Sequence, residues 1–303
     1  MKSREIPFFF EVGGSALLGI ASVPRAPARL GVVIVVGGPQ YRVGSHRQFV
    51  LLARTLADAG IAAFRFDYRG MGDSEGPAAG FTAVDADIRA AIDAFFARLP
   101  SLERVVLWGL CDGASASAFY AGTDERVAGL ALYNPWVRTE RGEARVMLSH
   151  YYARRFFDPG FWHKLFGGGV QWRESTSGLW SRIAKAAFVR ARAETPDNGA
   201  AIDLPCRLAS SIAAEGGPVL VALSGNDTVA AEFKAHSAGT AALATSLARQ
   251  SISRVDFPGV DHTFSRAEWR AAGADATLAW LRSQFAQWLL PARAVVLVPP
   301  EVK

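Results

Sequence analysis

Short apolar runs alternate with amphipathic stretches along most of the chain. Residues 30–36 form a continuous apolar, β-branched run that ends in Gly37-Gly38-Pro39. This is the pattern of a strand buried on both faces that opens into a loop. Over 46–60, Phe49, Leu52, Ala53 and Leu56 recur at i, i+3, i+4, i+7, and Gly60 closes the run, which predicts a helix with a stop. A strand over 61–66, a loop Asp67-Tyr68-Arg69-Gly70-Met71-Gly72-Asp73-Ser74, a helix over 83–99 and a third buried strand over 104–108 follow. Beyond them the pattern predicts a small-residue helix over 114–120, strands over 127–133, 219–223 and 253–257, and a closing helix over 266–290. Strands and helices alternating at this pitch predict an α/β fold with a mostly parallel sheet covered on both faces. The ends, 6–23 and 295–298, are expected to add antiparallel edge strands.

The rhythm breaks over 136–205, where aromatic and basic residues crowd together, among them Trp136, Tyr151, Arg154, Trp162 and Trp172. We expect a helical lid inserted over the carboxyl edge of the sheet, with a core formed by 1–135 and 206–303. Most of these aromatics would pack the insertion's own core. Trp136 and Trp162 are candidate substrate contacts, because ligands bind outside the carboxyl ends of parallel strands.

The length of 303 residues fits one α/β core with such an insertion. Half the residues are hydrophobic and 20% are charged, which excludes a disordered chain. Residues 1–11 have no long apolar segment, so no signal peptide is expected. No apolar run approaches the ~20 residues of a membrane span. We therefore expect no stable membrane insertion and a cytoplasmic location. Cys111 and Cys206 lie far apart without ligand spacing, and the five histidines do not cluster, so neither a disulfide framework nor a metal or other cofactor is expected. The net charge of +5 comes without a block of Lys or Arg, which argues against a nucleic-acid partner. An anionic substrate or acyl carrier suits the excess positive charge better, and the expected partner is a small-molecule or carrier-bound acyl substrate.

The sharpest local signal is Gly109-Leu110-Cys111-Asp112-Gly113, set between an apolar strand and an Ala/Ser-rich helix. In this G-x-nucleophile-x-G turn a Cβ at either glycine would collide with the adjoining strand or helix. A buried filler thiol is the plain alternative. A thiol at a helix N-terminus, however, has its thiolate favoured by the dipole, and the Asp112 N–H would face a developing oxyanion. His262 follows the last strand and is the expected base. Asp227, at the end of the strand before it, is favoured as the orienting acid over Asp256 and Asp261, which are nearer in sequence. The second oxyanion donor should come from Gly38 or Gln40, since Pro39 has no N–H. Arg42 and His46 either contact a substrate carboxylate or phosphate or cap the following helix. Asp67, Arg69 and Asp73 are expected to hold the adjacent loop.

Together, Gly37-Gly38-Pro39-Gln40, the Asp67 to Ser74 loop, the elbow, Gly225-Asn226-Asp227 and Asp261-His262 resemble the α/β-hydrolase superfamily over nearly the whole chain, in the chain order nucleophile, acid, histidine. More narrowly, the run from Gly37 to Phe49 with the elbow is similar to the type 1 hydrolases associated with bacterial exosortase A systems. That likeness implies a setting of surface-polysaccharide production and sorted exported proteins, and it assigns no substrate. Two departures stand out. Cys111 occupies the usual serine position, and Val36 or Gly37 stands where a histidine is common. Cysteine enzymes on this fold include dienelactone hydrolases and some thioesterases, and the 136–205 insertion sets this chain apart from the compact lactone enzymes. The expected activity is hydrolysis of carboxylic esters or thioesters through an acyl-cysteine. The rivals are acyl transfer through the same intermediate and a non-catalytic protein of an export system.

Overall fold

The computed structural model describes residues 3–37, 40–137 and 203–289. The chain divides into two compact units, Met1–Val137 with Leu204–Lys303 and Arg138–Asp203. The expected lid, including Trp162, falls almost wholly outside the described residues, as does the strand expected over 295–298.

Eight strands form one sheet: β1 (Arg4–Val12), β2 (Ser15–Val23), β3 (Leu30–Val35), β4 (Ala62–Phe66), β5 (Arg104–Leu110), β6 (Val127–Tyr133), β7 (Val219–Asn226) and β8 (Ile252–Asp261). Their order is β1-β2-β4-β3-β5-β6-β7-β8. Every pairing from β4 to β8 is parallel, whereas β1 and β2 run antiparallel. The β1–β2 turn is Gly13-Gly14, with φ of 56° and 81°, a conformation that a two-residue hairpin of this hand demands and that glycine adopts without strain. The sequence predicts edge strands throughout 6–23, but only β1 lies at the edge. β2 also pairs with β4, and Gly19 makes that approach possible: a Cβ there would sit 2.2 Å from the Phe64 ring.

Among the described residues the helices are α1 (Gln48–Asp58), α2 (Asp85–Arg98), α3 (Asp112–Ala121), α4 (Leu204–Ala214), α5 (Thr228–Gly239), α6 (Ala241–Leu247), α7 (Ala267–Gln284) and α8 (Ala286–Leu289). All six residues of β3 are buried, and the two-residue period of the strand divides them between two cores. Val33 and Val35 pack with Ile88, Ile92 and Phe95 of α2 and with Tyr120 of α3. Val32 and Ile34 pack with Phe49, Leu52 and Leu56 of α1 and with Trp280 and Leu281 of α7. Each such buried side chain contributes roughly 1.5–3 kcal/mol of transfer free energy, so the doubly covered sheet is the rigid base from which the loops at its carboxyl edge project.

Several boundaries differ from expectation, three of them for reasons visible in the local structure. The first helix starts at Gln48 and not at His46, because a 3₁₀ turn over Ser45–Arg47 puts His46 and Arg47 at φ of 54° and 62°, left-handed values that a right-handed helix cannot include. β7 and β8 run past 223 and 257 to Asn226 and Asp261, through a register shift between Ser224 and Asn226.

Candidate active site

β5 continues straight into the elbow. Leu110 pairs with Tyr133, and the Cys111 N–H donates to Tyr133 O at 2.9 Å. Cys111 then turns to φ 62°, ψ −128° as the residue before α3, a conformation few L-residues adopt. Its carbonyl accepts from Ala114 N at 3.0 Å and from Trp136 N at 3.2 Å, which fixes the strained residue from two sides. Close backbone approaches surround it. A Cβ on Gly109 would lie 2.4 Å from Gly113 O, one on Gly113 would lie 2.5 Å from Val35 O, and one on Gly37 would lie 2.3 Å from Asp112 Oδ1. The glycines that bracket the thiol are thus sterically required. Asp112 sits in the first turn of α3, where backbone N–H groups have no intrahelical acceptor.

The second part of the site comes from β7 and β8. Their parallel ladder ends with Asn226 opposite Asp261, so the next residues, Asp227 and His262, leave the sheet side by side. His262 Nδ1 and Asp227 Oδ2 are 2.8 Å apart, and the Asp227 side chain is buried. The other oxygen, Asp227 Oδ1, accepts from Val229 N at 3.0 Å and caps α5. The Cys111 side chain lies close enough to the His262 imidazole to act on its charge. Burial alone would push the imidazole down. Its hydrogen bond to Asp227, the charge of that carboxylate and the nearness of Cys111 outweigh that burial and lift it to about 10. Asp261 does a different job, accepting from Thr263 N at 3.1 Å, from Ser265 N at 3.0 Å and from the Ser265 hydroxyl. Asp256 is ion-paired with Arg254 and Lys234. Of the three candidate acids, only Asp227 meets the imidazole in this structure.

The remaining predicted residues take varied places. Gly38 lies outside the described residues. The Gln40 side chain accepts from Ser45 N at 3.4 Å within its own loop. Arg42, weighed as an anion contact or a helix cap, is committed elsewhere: its guanidinium bonds Asp67 and reaches Asp73 at 2.5 Å, while its N–H donates to Asp67 at 2.6 Å. Asp67 is fully buried under Gly72, and Arg69 forms a two-pronged pair with buried Asp87 at 2.9 Å per bond. These contacts hold the two loops beside the elbow against each other. His46 is exposed in the 3₁₀ turn. Trp136 follows β6, its N–H on Cys111 O and its carbonyl accepting from the Ser115 hydroxyl at 2.6 Å. Among the described residues no group of His, Cys, Asp and Glu could hold a metal.

Sequence reasoning overlooked Asn134. Its side-chain oxygen accepts from Ser224 N at 2.8 Å and its amide donates to Ser224 Oγ at 3.0 Å, clipping β6 to β7 just below the site. An asparagine directly after a buried strand was the available signal, since this residue tolerates the left-handed φ of 46° found there.

Strand order, parallel ladder, elbow and histidine turn define the α/β-hydrolase fold. A family model described as serine aminopeptidase, S33, matches residues 28–167. The family's description names a serine, whereas the elbow here carries Cys111. Among solved structures, an esterase from Pyrococcus furiosus superposes with a TM-score of 0.64 at 13% identity, over 95% of this chain and 92% of that one. Est1E from Butyrivibrio proteoclasticus with bound ferulic acid gives 0.59 at 15% identity, over 92% and 99%. A dienelactone hydrolase from Anabaena variabilis gives 0.57 at 14% identity, over 94% and 99%. No curated protein matches the sequence. Among the described residues no helix is long and apolar enough to cross a membrane.

Proposed function

We propose that the protein hydrolyses carboxylic esters or thioesters through an acyl-Cys111 intermediate. The observation that carries this reading is the imidazole of His262, hydrogen-bonded to Asp227 at 2.8 Å, with Cys111 of the elbow close enough to act on its charge. In it, the Cys111 thiolate attacks the acyl carbon, and the oxyanion is received by the Asp112 N–H and a donor from the loop of Gly38 and Gln40. The His262 imidazolium then protonates the leaving oxygen or sulfur as the bond to carbon breaks. A water, deprotonated by His262, attacks the acyl-cysteine, and collapse releases the acid and returns the thiol to its imidazole. Asp227 holds the tautomer throughout. The esterases among the similar structures support the ester chemistry, and the sulfur nucleophile favours thioesters, because thiolates exchange readily.

Intact-mass analysis after mixing with a short p-nitrophenyl ester or an acyl-thioester tests this. The expected result is an acyl adduct on Cys111 that water removes, and no adduct in Cys111→Ala. Equal turnover by wild type and Cys111→Ala would sink the proposal, while turnover only with an added alcohol or amine would make the enzyme an acyltransferase. The run from Gly37 to Phe49 supports a setting in surface-polysaccharide export, which loss of that polymer on gene deletion would test.

A further inference from the structure

We infer that Arg270, from the first turns of α7, is a positioning residue that holds the His262 turn in its reactive geometry, an inference that rests on the function proposed above. The turn from Asp261 to Ser265 leaves β8 and must place the imidazole between Asp227, just past β7, and Cys111, just before α3. Its N–H groups at Thr263 and Ser265 are tied from inside by the Asp261 carboxylate. Its carbonyls are tied from outside by Arg270, one nitrogen of which donates to Phe264 O at 3.1 Å and to Ser265 O at 2.6 Å.

Phe264 gives those bonds their leverage. It has a φ of 52°, a strained value for a residue with a bulky side chain. Its ring is buried against Tyr133 and Phe257, and Gly273 on α7 leaves room for it, since a Cβ there would lie 3.3 Å from the ring. The backbone two residues after the base is thus bent the costly way, and on its carbonyl side it is held there by one guanidinium. Arg270 also has no carboxylate partner among the ion pairs of the described residues. It shares with buried Gln48 a cavity of about 20 Å³, room for a single water. Its place in the fold therefore follows from the two carbonyls and not from charge neutralisation.

Arg249 supplies the control. It bonds carbonyls in the same manner, at Ile212, Ala213 and Glu215, but at the far end of α4. Loss of either arginine removes comparable bonds, so a merely structural Arg270 should behave as Arg249 does.

The test reads Cys111 alkylation by iodoacetamide across pH, followed by mass spectrometry, so no substrate need be known. Wild type, Arg270→Met, Arg270→Lys and Arg249→Met are compared, with His262→Gln to identify the imidazole's contribution and Tm recorded for all. In Arg270→Met the His262-dependent step in the pH profile should move down by on the order of one unit, with alkylation at neutral pH slowed about tenfold. Arg270→Lys should recover part of this, and Arg249→Met should lose Tm alone. If Arg270→Met loses only Tm, as Arg249→Met does, the inference fails while the triad stands. If wild type shows no His262-dependent step at all, the triad and the inference fall together.

Discussion

The elbow around Cys111 and the turn around His262 solve the same problem in opposite ways. Each presents a candidate catalytic side chain at the end of the sheet and contains a residue in a left-handed or otherwise unfavourable backbone, Cys111 itself in one and Phe264 in the other. The elbow does it by removing atoms: Gly37, Gly109 and Gly113 let strand, turn and helix touch where a Cβ would lie 2.3–2.5 Å from its neighbours. The turn does it by adding bonds, from Asp227, Asp261 and Arg270 to the backbone and the imidazole. A site held by close contact fails when something is inserted, and a site held by hydrogen bonds fails when a partner is taken away. The two halves should therefore break differently.

The largest break is expected from Asp227→Asn. Asparagine keeps an oxygen for Val229 N, so α5 stays capped, but it presents an amide to His262 and reverses the tautomer. Hydrolysis of an activated ester should fall by on the order of 10³-fold or more with little change in Tm. A loss below tenfold would mean the acid does not orient the base. Gly109→Ala should do the reverse, forcing the elbow apart and costing about 3 kcal/mol, a fall in Tm on the order of 10 °C. Calorimetry showing an unchanged Tm would remove the steric account of the elbow.

The smallest effect concerns charge. Because His262 rises from 6.5 to about 10 in the folded protein, its protonated form favours folding. That stabilisation is complete below about 6.5 and is lost as pH climbs through about 10. The Tm of wild type should therefore exceed that of His262→Gln by a few degrees near pH 6, with the gap closing by pH 10. A gap that widened with pH would reverse the assigned charge.

The same contrast explains what could be read in advance. The elbow was legible because its constraint is local: glycines at fixed offsets between an apolar strand and a small-residue helix leave one geometry open. Asp227 and His262 were legible because each follows a strand, even though the register that sets them side by side, Asn226 opposite Asp261, depends on a shift near Gly225 that no pattern announces. Arg270, Asn134 and the true duty of Arg42 were not legible. Their partners come from other elements, and nothing in the local sequence tells an arginine on two carbonyls from one awaiting an anion. The left-handed His46 and Arg47 were hidden too, because their side chains fit a helix pattern that their backbone leaves.

Asp227 divides its carboxylate, one oxygen starting α5 and the other aiming the imidazole. Helix ends open more readily than sheet cores, so warming frays that first turn while the eight strands are still intact. The carboxylate is then expected to swing with the loosened cap and to leave the imidazole unaimed. If the proposed function holds, activity is expected to disappear on heating below the Tm and to return on cooling, because the aim of the imidazole depends on a few residues at the start of one helix.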